Sequence, residues 1–207
     1  MQLYFSPLAC SMATRIALYE AGGDAAYTEV DPATKRTLDG ADFYAVNPLG
    51  LVPTLRTDAG ELLTENAAIL QYVAGQHPAL EAGVDRTRLQ QWLCFIGTEL
   101  HKAVFAPLLD PEAPDAVKTY TLAKVAPRFT YLSSHLATRD YLVGPFSVAD
   151  AYLVTVLNWT QATPIKLADW PVLAAYAARV RARPAVARAL HEEVALYVAE
   201  QARHKTA

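Results

Sequence analysis

The chain has 207 residues, enough for one or two domains and too few for three. Hydrophobic residues make up 53% and charged residues 19%, which fills a core and argues against disorder. The net charge of −3 has the wrong sign for a nucleic-acid backbone binder, and 2 cysteines cannot frame a disulfide scaffold but fit a reducing cytoplasm. Gln2 to Ser6 reads as a short strand. A helical pattern runs from Ser11 through Met12, Ile16, Ala17 and Tyr19 to a stop at Gly22-Gly23. Ala26 to Asp31 is a second strand. A polar stretch with Lys35, Arg36, Asp39 and Gly40 leads to the turn cluster Asn47-Pro48-Leu49-Gly50. Pro53–Thr57 and Glu61–Thr64 flank Asp58-Ala59-Gly60 as a hairpin. Asn66 is expected to cap a helix with the stripe Ile69, Leu70 and Val73.

After His77-Pro78 the pattern changes. Pro78 to Val84 reads as a linker, and strand signals end there. Leu89, Trp92, Leu93, Ile96, Leu100 and Val104 form one helical stripe, broken by Asp110-Pro111 and Ala113-Pro114. Ala116 to Leu136 is a second helix that Pro127 should start, kink or split. Ser147 to Asp150 has capping-box form before a buried helix from Ala149 to Trp159. Helices over Pro171–Arg183 and Ala185–Arg203 follow. The expected fold class is α/β plus all-α: a mixed α/β unit over residues 1–78, then an all-helical domain over residues 85–207. The N-terminus lacks the form of a signal peptide. The longest uncharged stretch, Ala151 to Ile165, falls short of the roughly 18 apolar residues of a membrane span. No membrane association is expected.

The chemistry-bearing residues lie mostly in the first part. Cys10 stands between the first strand and the first helix, where helix N–H groups favour a thiolate. The bland alternative is a buried, inert cysteine. Ala13 stands where a dithiol motif would need its second cysteine, so a resolving thiol is expected from another molecule such as glutathione, with Cys94 the remote alternative. Val52-Pro53 either simply starts a strand or, if cis, turns the Val52 backbone toward a ligand. Glu65-Asn66 is either a helix cap or a grip, with helix N–H groups for a carboxylate and Glu65 for an ammonium. Neither a metal-ligand cluster nor a Gly-rich phosphate loop is present in the sequence.

LYFSPLACS, VDPATKRTLDGADFYAVNPLGLVPTL and GELLTENAAILQYVAGQHP resemble the thioredoxin-like domain of bacterial beta-class glutathione transferases. WLCFIGTELHK and FSVADAYL resemble that family's helical domain, so the resemblance spans nearly the whole chain. The resemblance implies glutathione as co-substrate, no metal, and Cys10 as the cysteine that forms a mixed disulfide with glutathione. Ser11 would hydrogen-bond the thiol. Lys35 would meet the glycine carboxylate, Val52 beside a cis-Pro53 the cysteinyl backbone, and Glu65 and Asn66 the γ-glutamyl end. His101 resembles the family's active-site histidine and is expected to be catalytic, and its neighbour Lys102 is expected to bind glutathione. Cys94 replaces an asparagine that in the family reaches the partner subunit's glutathione. Seven residues is nearly two helical turns, so Cys94 and His101 are expected to share a face. Cys94 then either faces a neighbouring site or packs in an interface.

The expected reaction is transfer of the glutathione thiolate to a small hydrophobic electrophile in a cytoplasmic, detoxifying homodimer. The electrophile would sit between the domains, near Phe105 and Leu108. Two alternatives are glutathione-dependent thiol-disulfide or peroxide reduction through Cys10, and non-catalytic carriage of apolar ligands.

Overall fold

The computed structural model describes residues 1–206. It divides into two compact units: residues 1–79 together with the last helix, Pro184–Thr206, and residues 80–183. In the first unit, β1 (Gln2–Phe5), β2 (Ala26–Glu29), β3 (Thr54–Arg56) and β4 (Leu62–Leu63) form a 4-stranded sheet in the order β2-β1-β3-β4. β1 and β2 run parallel, with Gln2 opposite Ala26 and Phe5 opposite Glu29. Parallel neighbours need a crossover, and helix α1 (Met12–Glu20) supplies it. β3 lies antiparallel to both β1 and β4. Gly60 closes the β3–β4 turn, its N–H 3.0 Å from the Thr57 carbonyl. Its φ of 86° is a left-handed conformation that a side chain would resist.

Every residue of α1 from Met12 to Leu18 is buried. A helix buried on every face must be enclosed by more than one neighbour. Helix α2 (Asn66–Gln76) packs on it, and so does the last helix. That packing groups the last helix with the first unit, away from the helices it follows in sequence.

The stretch expected to be a linker contains the short helix α3 (Pro78–Glu81). Helix α4 (Arg86–Phe95) is capped by Asp85, which accepts the N–H groups of Thr87 and Arg88 at 2.9 and 3.1 Å. It continues into a π-helical segment, Ile96–Phe105, and then into α5 (Ala106–Leu109). The wider winding shows where the Ala106 N–H reaches back five residues to the His101 carbonyl. Leu89, Trp92, Leu93, Ile96, Leu100 and Val104 are all buried. Apolar residues spaced by fours suit either winding, so the pattern shows the stripe without showing the π turn.

The second expected helix is split into α6 (Asp115–Leu122) and α7 (Val125–Leu136). Pro127 lies in the first turn of α7, where a missing N–H removes no helical bond. Helix α8 (Val148–Asn158) is buried from Val148 through Leu157. Asp150 organises its start. Its Oδ2 accepts the Ser147 N–H and hydroxyl, both at 2.9 Å. Its Oδ1 accepts the Leu142 N–H at 2.9 Å and the Tyr176 hydroxyl at 2.8 Å, the latter from α9 (Pro171–Arg181). The last helix, α10, completes the order.

Candidate active site

β1 ends at Phe5, and the chain turns through residues 6–11 before α1 begins. Cys10 lies in that turn, partly buried, its Sγ 3.4 Å from the Val52 carbonyl oxygen. Only a protonated sulfur donates such a bond. The Val52-Pro53 peptide is cis, and Pro53 is buried just before β3. The β1–β3 ladder starts at Thr54, so Val52 stands outside it. Among the described residues nothing accepts the Val52 N–H.

Ser11 does something other than its expected task. It is fully buried, and its hydroxyl donates to the Ser6 carbonyl at 3.2 Å while accepting the Ser6 N–H at 3.4 Å. It closes the turn on itself and is not aimed at the thiol. The reason is local: the chain reverses between β1 and α1, and a hydroxyl is the group that satisfies both buried backbone atoms.

Lys35 is half-buried and holds a left-handed backbone, φ 56°, with its N–H on the Asp31 carbonyl at 3.0 Å. Gly50, at φ 61°, lies beside it. A Cβ there would come within 2.7 Å of the Tyr44 ring and 3.4 Å of the Lys35 stem. The glycine of the Asn47–Gly50 turn therefore serves both the turn and the seat of Lys35.

The cap expected at Asn66 is instead at Glu65, which is exposed and left-handed at φ 63°. Asn66 opens α2 and points inward. Its Oδ1 accepts the Thr14 hydroxyl of α1 at 3.1 Å, and its buried Nδ2 has no partner. The Glu65 side chain makes no cap bond to the first N–H groups of α2. These groups carry the positive end of the helix dipole.

His101 and Lys102 belong to the second unit, in its π-helical segment. His101 Nδ1 is 2.8 Å from the Tyr152 hydroxyl, and its ring packs edge-on against Trp159 at 4.9 Å. Burial first, and the charge of Lys102 second, lower its pKa from 6.5 to about 4. Lys102 is exposed. Cys94 is exposed as well, whereas His101 packs inward, so the two do not share a face. The π winding after Phe95 changes the rotation per residue and carries them apart. Phe105 and Leu108 are buried core residues, Phe105 resting on Trp159 at 5.8 Å.

A neutral His101 follows from its environment. Its ring signals are expected to titrate near pH 4 by NMR, leaving no His101 step in a rate profile between pH 5 and 8. The lowered pKa also makes this group's contribution to stability fall as pH drops from 6.5 toward about 4, because the unfolded ring protonates first. A ring titrating near 6.5 would contradict the burial argument.

Two residues near Cys10 escaped the sequence reading. Arg15, on α1, is stacked against Phe5 and Tyr27 at 4.3 and 4.2 Å. Glu193, on α10, is fully buried; it accepts Arg15 Nε at 2.9 Å and the Leu8 N–H at 2.7 Å. Leu8 is itself left-handed, φ 58°. The end of the chain therefore holds the turn that carries Cys10. A signal existed: Val186, Ala189, Glu193, Leu196 and Glu200 follow the 3-4-3-4 spacing of an apolar stripe, with acids at two places. Among the described residues no group of three or more His, Cys, Asp or Glu is placed to hold a metal.

The architecture has known relatives. Residues 9–76 match the family model of the glutathione S-transferase N-terminal domain, and residues 98–184 that of the C-terminal domain. Glutathione S-transferase GstA of Escherichia coli O157:H7 is 39% identical, over 93% of this chain and 98% of the relative. A sphingomonad glutathione S-transferase solved with glutathione is 46% identical, with a TM-score of 0.88 over 93% of this chain and 98% of that one. The bacterial beta-class enzyme of Sphingomonas chungbukensis gives 42% and 0.87, with 93% and 98% covered. The sheet order, the cysteine-bearing turn and the match over both halves lead to one conclusion: this chain belongs to the glutathione S-transferase family.

Proposed function

We propose that the protein binds glutathione on its first unit and transfers the thiolate to a small hydrophobic electrophile. The observation that carries this is the Val52 backbone beside Cys10: an N–H without an acceptor among the described residues, next to a sulfur 3.4 Å from the carbonyl of the same residue. An extended cysteinyl segment offers a matching carbonyl and N–H, and so pairs with Val52 as a short strand would. Asn66 Nδ2 and the uncapped N–H groups of α2 suit the γ-glutamyl carboxylate, and the exposed Glu65 suits its ammonium. Lys35 supplies a cation for the glycine carboxylate. Lys102 is assigned to glutathione as well. His101, neutral at working pH, serves the reaction as a hydrogen-bonding group and not as a cation.

In the reaction the glutathione sulfur loses its proton, its lone pair forms a bond to the electrophilic carbon, and the leaving group departs with the carbon's former bonding pair. A free thiol titrates near 8.5, and lowering that by about two units favours the thiolate by roughly 2.7 kcal/mol. The α1 N-terminus and the Cys10 S–H are the donors for this task. Ser11 is withdrawn from it, its hydroxyl being spent on Ser6.

A second reading uses the same cysteine. The Cys10 thiolate attacks a glutathione mixed disulfide, takes the glutathionyl group and expels the other thiolate. A second glutathione thiolate then attacks Cys10–SG, restoring Cys10 and leaving as glutathione disulfide. Partial exposure of the thiol favours it. We place both reactions in a cytoplasmic homodimer with a detoxifying role. The exposed Leu49, Leu51 and Leu62 of the first unit support self-association.

The test is retention on immobilised glutathione followed by turnover of an activated aryl halide. Retention with turnover is expected. Failure to bind glutathione sinks both enzymatic readings, and binding without turnover leaves an apolar-ligand carrier.

A further inference from the structure

We infer that the last turn of α10 is a latch on the loop that carries Lys35, with His204 a positioning residue for the glutathione carboxylate. Asp31 is the pivot of that loop. Its Oδ1 accepts the N–H groups of Ala33 and Thr34 at 2.8 and 2.9 Å. Its carbonyl accepts the Lys35 N–H at 3.0 Å, and its own N–H donates to the Arg36 carbonyl at 2.8 Å. The loop is thus wound around one residue. The remaining oxygen, Oδ2, accepts His204 Nε2 at 2.7 Å from α10. One residue earlier on α10, Arg203 donates to Glu29 at the end of β2. The last turn of the chain therefore holds both the strand end and the loop that leaves it.

The charges suit this turn. Arg203, His204 and Lys205 lie in the final turn of α10, where the helix dipole favours cations. Opposite them stand Glu29 and Asp31, with Glu200 on α10 itself. Burial alone would raise the Asp31 carboxyl, but the His204 ring and the N–H groups of Thr34 and Ala33 outweigh it and draw the pKa down to about 2. The link is thus charge-assisted across the whole neutral range.

Lys35 is the reason the latch matters. A residue with a Cβ persists at φ 56° only where its surroundings over-determine the backbone. That φ sets the direction in which the lysine side chain leaves the loop. Freeing Asp31 from His204 loosens the winding and lets the cation wander from its seat. The expected defect lies in binding, not in chemistry. The inference rests on the proposed assignment of Lys35 to the glycine carboxylate.

The experiment uses the full chain with His204→Ala and His204→Gln. We expect His204→Ala to raise KM for glutathione about three- to fivefold with kcat and the electrophile KM unchanged. Amide exchange of residues 33–36 is expected to quicken. His204→Gln, which keeps an N–H donor, should restore most of both. In a Lys35→Ala background, His204→Ala should add nothing to KM. Unchanged exchange and unchanged KM in His204→Ala overturn the latch. An equal rise in KM in the Lys35→Ala background overturns the route through Lys35. Faster exchange beside a Lys35→Ala variant of normal KM upholds the latch and instead overturns the assignment of Lys35.

Discussion

Replacing Cys10 by alanine is expected to remove thiol-disulfide exchange down to the uncatalysed level while leaving conjugation within about tenfold of the parent, the worth of one lost sulfur hydrogen bond. The two activities differ in what they ask of this sulfur. Exchange needs Cys10 as the atom that carries the glutathionyl group, and Ala13 offers no second thiol in the same turn. Conjugation uses the sulfur of glutathione and asks Cys10 only for a hydrogen bond. Ser11 cannot take over, because both sides of its hydroxyl are engaged with Ser6. Intact-mass measurement after exposure to glutathione disulfide should show one glutathionyl adduct in the parent and none at this position in the variant. Exchange that survives in Cys10→Ala would move the chemistry to another group, with Cys94 the first to examine.

Glu193→Ala is expected to destabilise the fold by about 3 kcal/mol, since it strips a buried guanidinium of its close partner. Arg15 is 4% exposed, and what remains to it is the Tyr19 hydroxyl at 3.1 Å, Glu192 at 3.5 Å and the faces of Phe5 and Tyr27. The same change removes the Glu193 acceptor from the Leu8 N–H two residues before Cys10, so the turn loosens where the thiol sits. Denaturant unfolding measures the first effect, and the rate of Cys10 alkylation measures the second. Glu193→Gln keeps an acceptor and should cost roughly half as much, about 1–2 kcal/mol. A neutral outcome for Glu193→Ala would mean that the pair is dispensable.

The pH dependence of that pair has a definite sign. Burial pushes the Glu193 carboxyl up from 4.5, Arg15 pulls it partly back, and it comes to rest at about 7. The folded protein then holds a proton that the unfolded chain has released. This contribution to stability is complete below 4.5 and is lost as pH rises through about 7. His101 acts with the opposite sign and only below 6.5. His101 is silent between pH 6.5 and 8, and Glu193→Gln should remove the part of the decline there that Glu193 causes.

Much of the site was legible before any coordinates, for local reasons. Cys10 stands at a strand-to-helix junction, and such a junction is written in the change of apolar period from two to nearly four. The hairpin shows in Asp58-Ala59-Gly60, because the turn needs a residue that accepts a left-handed backbone. The capping box at Ser147–Asp150 is a local contact within one helical turn. Each of these depends on residues a few positions apart.

What the tertiary structure alone decided depends on residues far apart in the chain. Ser11 was assigned to the thiol by adjacency, yet its hydroxyl serves the returning backbone of Ser6. Asn66 was assigned to its own helix start, yet its side chain turns toward Thr14, 52 positions away. Seven residues along an α-helix align Cys94 with His101, and the π winding between them changes the phase. The last helix was grouped with its sequence neighbours, and its packing on α1 places it under the cysteine-bearing turn through Glu193 and over the Lys35 loop through His204. Periodicity reports which face of an element is apolar. It does not report which partner covers that face, nor which buried acid meets which buried base, because those pairings are settled by packing and desolvation across the whole unit.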